Sequence, residues 1–384
     1  MNTPDPTVLT WQEGGQQRQA RWRSESGWPA PARVQIADDQ MPADAAYRLA
    51  SEGTALLWRG DFQNARQLLV ALGRRLDRPP RKAASVPASP GEAFYRYRQA
   101  QGRRARVLGM LVIEVEGDHG IRLRRAPDLR AACSEAWGPP DGRPCVVSLR
   151  ECLGLVGAHE WRKAGVEVPA LGPPPGNRIH AHYGVFSPVR GEYLDLVGTA
   201  ALPAGASLAW DIGTGTGVIA AVLARRGIAH VVATDLNPRA LACARDNIQR
   251  LGLQSQVEIV EADLFPPGVA PLIVCNPPWL PGKPSSLLEH AVYDPDSRML
   301  RGFLGGLRER LSPGGEGWLL LSDLAEHLGL RSRDDLLALF GAGGLVVRER
   351  LDIRPRHPKA SDASDPLAAA RMREVTSLWR LGAA

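Results

Sequence analysis

The sequence predicts an α/β protein: a mostly parallel sheet with helices on both faces fills the C-terminal half and follows a smaller α+β domain. Three observations lead there. A glycine-rich turn, Asp211-Ile212-Gly213-Thr214-Gly215-Thr216-Gly217, joins a short apolar stretch to a helical period. Beyond it, short apolar runs alternate with amphipathic helical segments, the pattern of strand–helix–strand units that build a parallel sheet. Finally, Gly172-Pro173-Pro174-Pro175-Gly176 suits neither helix nor strand and marks a boundary. Three regions result: an accessory α+β domain at 1–171, a Pro/Gly-rich linker and following segment at 172–192, and the parallel-sheet domain at 193–384.

A chain of 384 residues is long enough to bury two cores, and its 44% hydrophobic and 23% charged content is ordinary for a soluble globular protein. The polar start, with two prolines before Gln12, lacks the basic and apolar regions of a secretory signal, and no apolar run approaches the ~18 residues of a membrane helix. The expectation is a cytoplasmic protein with no membrane contact. Cys133, Cys145, Cys152, Cys243 and Cys275 form no C-x-x-C pair and have no histidine at finger spacing, so reduced, mostly buried thiols are expected and no metal site. Residues 1–180 carry 26 Lys and Arg against 19 Asp and Glu, a net +7; residues 181–384 carry 21 against 22, a net −1. Basic character therefore belongs to the N-terminal part. Only four of the 47 basic residues are lysine, so arginine clusters partly reflect composition.

Residues 1–43 show no clear period apart from a short strand pattern around Ala32 to Ile36. Asp61 is placed to cap a helix whose apolar residues Phe62, Ala65, Leu69, Leu72 and Leu76 recur at spacings of three and four, packing against the apolar stretch 54–58. A basic, proline-rich segment follows (Pro79, Pro80, Pro87, Pro90), then Phe94-Tyr95-Arg96-Tyr97-Arg98 and Arg103, Arg104 and Arg106. Rings interleaved with guanidinium groups suit a nucleic-acid surface. In so arginine-rich a chain, a solvated linker followed by an amphipathic helix is the preferred reading. Segments 107–116 and 121–125 are strand-like, joined by Gly117-Asp118-His119-Gly120 as a hairpin turn, and 146–149 adds another strand.

Past the boundary, His180 and His182 are spaced to face one way and hold a metal; without a third ligand nearby, exposed or hydrogen-bonded histidines are expected. A helix at 193–202 leads into the central region. There, a strand at 207–210 ends in Asp211, and the glycine turn delivers the chain into a helix at 218–226. Glycines let the backbone turn tightly and admit a bulky ligand. The next strand, 231–234, ends in Asp235, placed to bind the two hydroxyls of a ribose, and is followed by a helix at 238–251 capped by Asn237. A third strand, 257–260, ends in Glu261-Ala262-Asp263-Leu264, where an acid can reach an adenine amino group. A nicotinamide dinucleotide site would expect glycine or alanine at position 218, which is Val218.

A fourth strand, 272–275, stops at Asn276-Pro277-Pro278-Trp279. Paired prolines block strand and helix and fix a rigid exit from the sheet. Ending a strand requires neither the asparagine nor the tryptophan. Amide and aromatic amino nitrogens are poor nucleophiles because their lone pair is delocalised. An Asn276 side-chain oxygen and a Pro277 carbonyl that accept the two N–H bonds would orient such a nitrogen and stabilise the positive charge it develops. Trp279 is suited to stack on the planar acceptor.

Together, the D-I-G-T-G-T-G turn, Asp235, Asp263 and the N-P-P-W motif resemble class I S-adenosylmethionine-dependent methyltransferases of the small-domain type. They resemble in particular the release-factor glutamine N-methyltransferases and the ribosomal-RNA guanine N-methyltransferases. The resemblance covers roughly residues 184–381 and implies a Rossmann-like seven-stranded sheet, making 193–384 the methyltransferase domain. It implies S-adenosyl-L-methionine as cofactor, with Asp211, Gly213 and Gly215 at its methionine part, Asp235 at the ribose and Asp263 at the adenine. Thr214, Gly217, Leu236, Leu264 and Asn276 complete the implied cofactor-binding set, and Asn276, Pro277, Pro278 and Trp279 form the implied catalytic acceptor site. The segment Ser187-Pro188-Val189-Arg190-Gly191-Glu192 loosely matches a segment flanking the site in glutamine methyltransferases, which makes Phe186, Pro188, Arg190 and Glu192 substrate-flanking candidates.

After the motif, 281–301 reads as a long loop with Lys283, Tyr293, Asp294, Asp296 and Arg298 that gates or selects substrate, its second half alternatively a helix starting near Asp296. Helices at 302–311 and 333–340 and strands at 316–321 and 375–381 complete the sheet. The arginine-rich stretch 350–359, with His357, reads as a solvated loop or a contact for an acidic partner. The expected activity is methylation of a planar amide or amino nitrogen in the translation apparatus, a protein glutamine first and guanine N2 or adenine N6 of RNA as the alternative. The basic N-terminal domain admits an RNA or ribosome contact. Competing classes are a non-catalytic RNA-binding protein on a degenerate fold and a dinucleotide oxidoreductase.

Overall fold

The computed structural model describes residues 7–78, 86–356, 365 and 367–384. They sort into two units, Met1–Val86 with Tyr95–Glu160 and Pro87–Phe94 with Trp161–Ala384. Pro79, Pro80, His357 and Lys359, singled out in the sequence, lie outside the described residues.

In the first unit, β1 (Val8–Glu13) turns through Gly14 and Gly15 into β2 (Gln16–Arg23). The turn glycines have φ of 59° and 76°, which glycine adopts without steric cost and a tight hairpin requires. Leu9, Trp11 and Ala20 are buried on one face. This hairpin corrects the expectation of an irregular lead-in: with Gln and Arg filling its other face, the Gly-Gly pair is its main sequence signal. Next come β3 (Arg33–Ala37), α1 (Ala43–Ser51), β4 (Thr54–Trp58) and α2 (Phe62–Leu76). Asp61 caps α2 as expected, its carboxylate accepting the Gln63 backbone N–H at 2.8 Å. The Phe94 to Arg106 stretch is helical within α3 (Pro90–Gly109), which runs through Val107 so that β5 (Leu111–Val115) starts later than expected. The chain continues with α4 (Arg130–Trp137), β6 (Cys145–Ser148) and α5 (Leu149–Ala164). The sheet order is β1-β2-β6-β5-β4-β3, with β3, β4 and β5 parallel.

The expected 121–125 strand does not form. β5 pairs with β4 and β6 instead, and Arg124 and Arg125 turn to the buried Asp61 carboxylate at 2.9 and 2.7 Å. Arg125, at φ 56°, is out of the extended region altogether.

The second unit begins with a small pair, β7 (Val166–Glu167) and β8 (Arg178–Ile179), and α6 (Glu192–Thr199). Strand and helix then alternate through β9 (Leu208–Ile212), α7 (Val218–Arg225), β10 (His230–Asp235), α8 (Pro238–Arg250) and β11 (Val257–Glu261), and β12 (Ala270–Cys275) follows β11 with no helix between them. Short strands β13 (Leu280–Pro281) and β14 (Tyr293–Asp294) precede α9 (Arg298–Arg310) and β15 (Leu311–Ser322). The unit closes with α10 (Leu324–His327), α11 (Arg333–Ala342), β16 (Leu345–Ile353), α12 (Ala368–Arg371) and β17 (Thr376–Ala383). The seven-stranded sheet runs β11-β10-β9-β12-β15-β17-β16, parallel except for β17, which is antiparallel to both its neighbours.

Alternation along the central strands sorts side chains into two layers. Ala209, Val274 and Leu320 pack with α6 and α7, whereas Trp210, Ile273 and Leu319 pack with Phe303, Leu307 and Phe340 of α9 and α11. Strand order reverses between β9 and β12, so their carboxyl ends flank the crevice where open α/β sheets bind ligands. The long loop expected at 281–301 is more ordered than anticipated, holding the β13–β14 pair and the start of α9. β16 was not expected: it is an edge strand, exposed at Val346 and Val347, and its charges hide the strand period. Arg350 therefore belongs to a strand rather than a loop; it bonds Asp352 at 2.7 Å and lies 4.8 Å over the Trp379 ring.

Candidate active site

The carboxyl end of β9 is built around Asp211, which is fully buried. Its Oδ2 accepts the Thr214 hydroxyl at 2.6 Å and the Ala220 backbone N–H at 3.1 Å, while Oδ1 is buried with no hydrogen-bond partner. Burial pushes its carboxyl up to about 7; the Thr214 and Ala220 bonds pull the other way, and nearby Asp235 adds to the rise. A buried carboxylate oxygen without a donor is costly, and a cationic or N–H-bearing ligand group would relieve it.

Gly213, Gly215 and Gly217 all have positive φ, 72°, 56° and 80°. The turn is tied back by Gly213 and Thr214 N–H groups donating to the Thr234 carbonyl at 2.9 and 2.8 Å. Gly215 donates its N–H to Asp235 Oδ2 at 3.0 Å, and Asn237 donates to Oδ1 at 2.9 Å, so Asp235 braces the glycine turn from the next strand. Gly217 starts α7, where an added Cβ would crowd Ala244 of α8. Leu236 is half exposed beside Asp235. Leu264 takes φ 68°, and its carbonyl accepts the Thr234 hydroxyl at 2.7 Å. Asp263 is exposed and pairs with Arg298 at 2.9 Å, an attachment weak enough for a ligand to share. Orphaned acid, glycine turn and strand-end carboxylates fit a nucleoside carrying a cationic tail.

The acceptor motif leaves the end of β12. Pro277 is buried; Asn276, Pro278 and Trp279 are partly so. The Trp279 indole N–H donates to Asn276 Oδ1 at 2.9 Å, and the ring packs on the cluster that holds Trp210 and Phe303. Downstream, buried Asp294 caps α9, its carboxylate oxygens accepting the Met299 and Leu300 N–H groups at 3.1 Å each. Between them, Asp296 and Ser297 hold φ of 54° and 53°.

Among the flanking candidates, Phe186 is exposed and Pro188 buried. Arg190 lies 4.0 Å from Glu374, and Glu192 accepts the Arg356 backbone N–H at 2.6 Å. His180 Nδ1 meets the Arg162 carbonyl at 2.6 Å and His182 Nε2 meets Asp246 at 3.1 Å, so both histidines are bonded within the fold. Met299 and Glu374 carry no sequence motif, yet both reach this edge. The Met299 methyl group occupies the space that a Cβ on Gly213 would need. Glu374 is buried, accepts the Ser322 hydroxyl at 2.7 Å, and is raised by burial against the pull of Ser322 and Arg190.

This sheet, its glycine turn and the N-P-P-W exit define a class I, S-adenosylmethionine-dependent methyltransferase domain. Residues 176–343 match the model of the methyltransferase small-domain family. The chain is 42% identical over 110 residues to the release factor glutamine methyltransferase of Cereibacter sphaeroides, covering 28% of this chain and 36% of that protein. It is 30% identical over 145 residues to the tRNA1(Val) (adenine(37)-N6)-methyltransferase of Bacteroides thetaiotaomicron, covering 35% of this chain and 60% of that one. Among solved structures, it superposes on a methyltransferase from Pyrococcus furiosus with a TM-score of 0.40 and 20% identity, over 60% of this chain and 98% of that one. The chain thus spans less than two thirds of the length of these two sequence relatives. Among the described residues, no helix is long and apolar enough to cross a membrane.

Proposed function

We propose that this chain is an N-methyltransferase that methylates a planar nitrogen, first of all the side-chain amide of a protein glutamine in the translation apparatus. One observation carries this reading: β9 and β12 are neighbours with Ile212 opposite Cys275, so the glycine turn and the N-P-P-W motif leave the sheet side by side. Bound at this edge, S-adenosylmethionine supplies a methyl group activated by its sulfonium. Asp211 faces the cationic methionine end, Asp235 the ribose hydroxyls and Asp263 the adenine amino group, with Leu236 and Leu264 against the base.

Asn276 Oδ1 and the Pro277 carbonyl accept the two N–H bonds of the acceptor, hold its plane, and favour the charge that develops on nitrogen. Phe186, Pro188, Arg190 and Glu192 flank the acceptor. The similarity to the glutamine methyltransferase supports a protein acceptor. A nucleobase amino group of RNA is the second reading, supported by the tRNA-methyltransferase relative and the net +7 of residues 1–180. Incubation with methyl-labelled cofactor and cell extract, followed by protease or nuclease digestion, separates them. Label released by protease alone supports the glutamine reading, label released by nuclease the RNA reading, and no macromolecular label refutes both.

A further inference from the structure

We propose that Trp279 is the positioning residue of the acceptor site, its indole N–H fixing the Asn276 amide so that a single orientation of that amide meets the incoming nitrogen. This rests on the reading of Asn276 as the acceptor-binding group. The 2.9 Å bond from Trp279 Nε1 to Asn276 Oδ1 is the primary observation. An indole N–H can only donate, so oxygen and not the amide nitrogen must face it; the chemistry of the pair decides which way the asparagine points.

The donor is itself held. Trp279 packs on the buried cluster of Trp210 and Phe303, alongside Leu264, Phe265 and Met299, and the rigid Pro277-Pro278 pair sets its distance from Asn276. An unanchored asparagine at a strand end would sample a broad χ2 range and both amide orientations. A carbonyl oxygen has two lone pairs, so the indole bond leaves one for the acceptor N–H, with the second N–H directed to the Pro277 carbonyl. A ring that served by stacking alone would leave its N–H uncommitted.

Trp279→Phe keeps an aromatic ring and removes the donor. Loss of one neutral hydrogen bond that acts on orientation predicts a fall in kcat of about tenfold, with acceptor KM and cofactor Kd within about threefold of wild type. Trp279→His, which restores a ring N–H, should recover part of kcat. Unchanged kcat in the phenylalanine variant, or a loss confined to acceptor KM, would overturn the proposal. A second measurement does not depend on that variant folding or on the acceptor being known. With 15N-labelled protein, Asn276→Ala should shift one of the ten tryptophan indole N–H resonances and speed its exchange with water. If no indole resonance moves, the bond does not exist in solution. A wild-type protein that transfers methyl to no acceptor would sink the proposed function, while the indole measurement would still decide this one.

Discussion

Cofactor affinity should follow the ionisation of Asp211, and the size of the effect comes from its burial. The folded carboxyl titrates at about 7 against an ordinary value of 3.8. Between those values the folded, ligand-free protein keeps a proton that the unfolded chain has lost. Stability of the ligand-free protein therefore falls as pH rises through that window and levels above it. A cationic group beside the unpartnered Oδ1 favours the ionised form, which reverses the slope for binding. If only the ionised form binds tightly, affinity rises up to tenfold for each pH unit below about 7, or about 1.4 kcal/mol. From about pH 5 to about pH 7 the limit is roughly a hundredfold. Calorimetric titration with S-adenosylhomocysteine, in buffers of differing ionisation enthalpy, measures both the affinity and the proton released. Asp211→Asn should bind more weakly at neutral pH and lose the slope. Flat wild-type affinity across this range, or a slope that persists in Asp211→Asn, would refute the reasoning.

Other consequences are as concrete. Gly213→Ala meets both a φ of 72° and the Met299 methyl group; thermal melts should show a loss of about 1–3 kcal/mol, with cofactor binding abolished or greatly weakened. Asp235→Ala removes the acceptor of the Gly215 N–H bond as well as the proposed ribose contact, and titration should show cofactor Kd raised about tenfold to a hundredfold, the scale of bonds to a charged group. Leu72→Ala empties a fully buried position in α2, and urea unfolding should register a loss of about 2–5 kcal/mol.

The parallel-sheet domain was legible because its signals are local and repeated. Each strand from 207 to 275 ends in an acid or in the asparagine motif, and Asn237 caps the periodic helix α8 where a short polar side chain precedes it. The elements that escaped notice lack such punctuation. β16 follows three apolar residues with the charged run Arg348-Glu349-Arg350 on a sheet edge, so it shows no strand period. The β1–β2 hairpin buries only a few side chains, whereas β5 lies within the strand expected at 107–116 and only its start was misplaced, because Gly109 alone breaks the helix before it. In the site, motifs named the groups but not their partners. The Arg298 pair with Asp263 and the Met299 contact at Gly213 depend on how distant segments fold together, and the indole bond to Asn276, three residues away, depends on side-chain orientation; short spacing encodes neither.

The central claim, that glycine turn and N-P-P-W motif are two halves of one methyl-transfer site, is tested most directly by Asn276→Ala assayed beside wild type. Each protein is incubated with methyl-labelled S-adenosylmethionine and cell extract, and cofactor affinity is measured on the same preparations. Label should enter a macromolecule with wild type and not with the variant, while the two bind cofactor within about threefold of each other. Wild-type transfer by Asn276→Ala would contradict it.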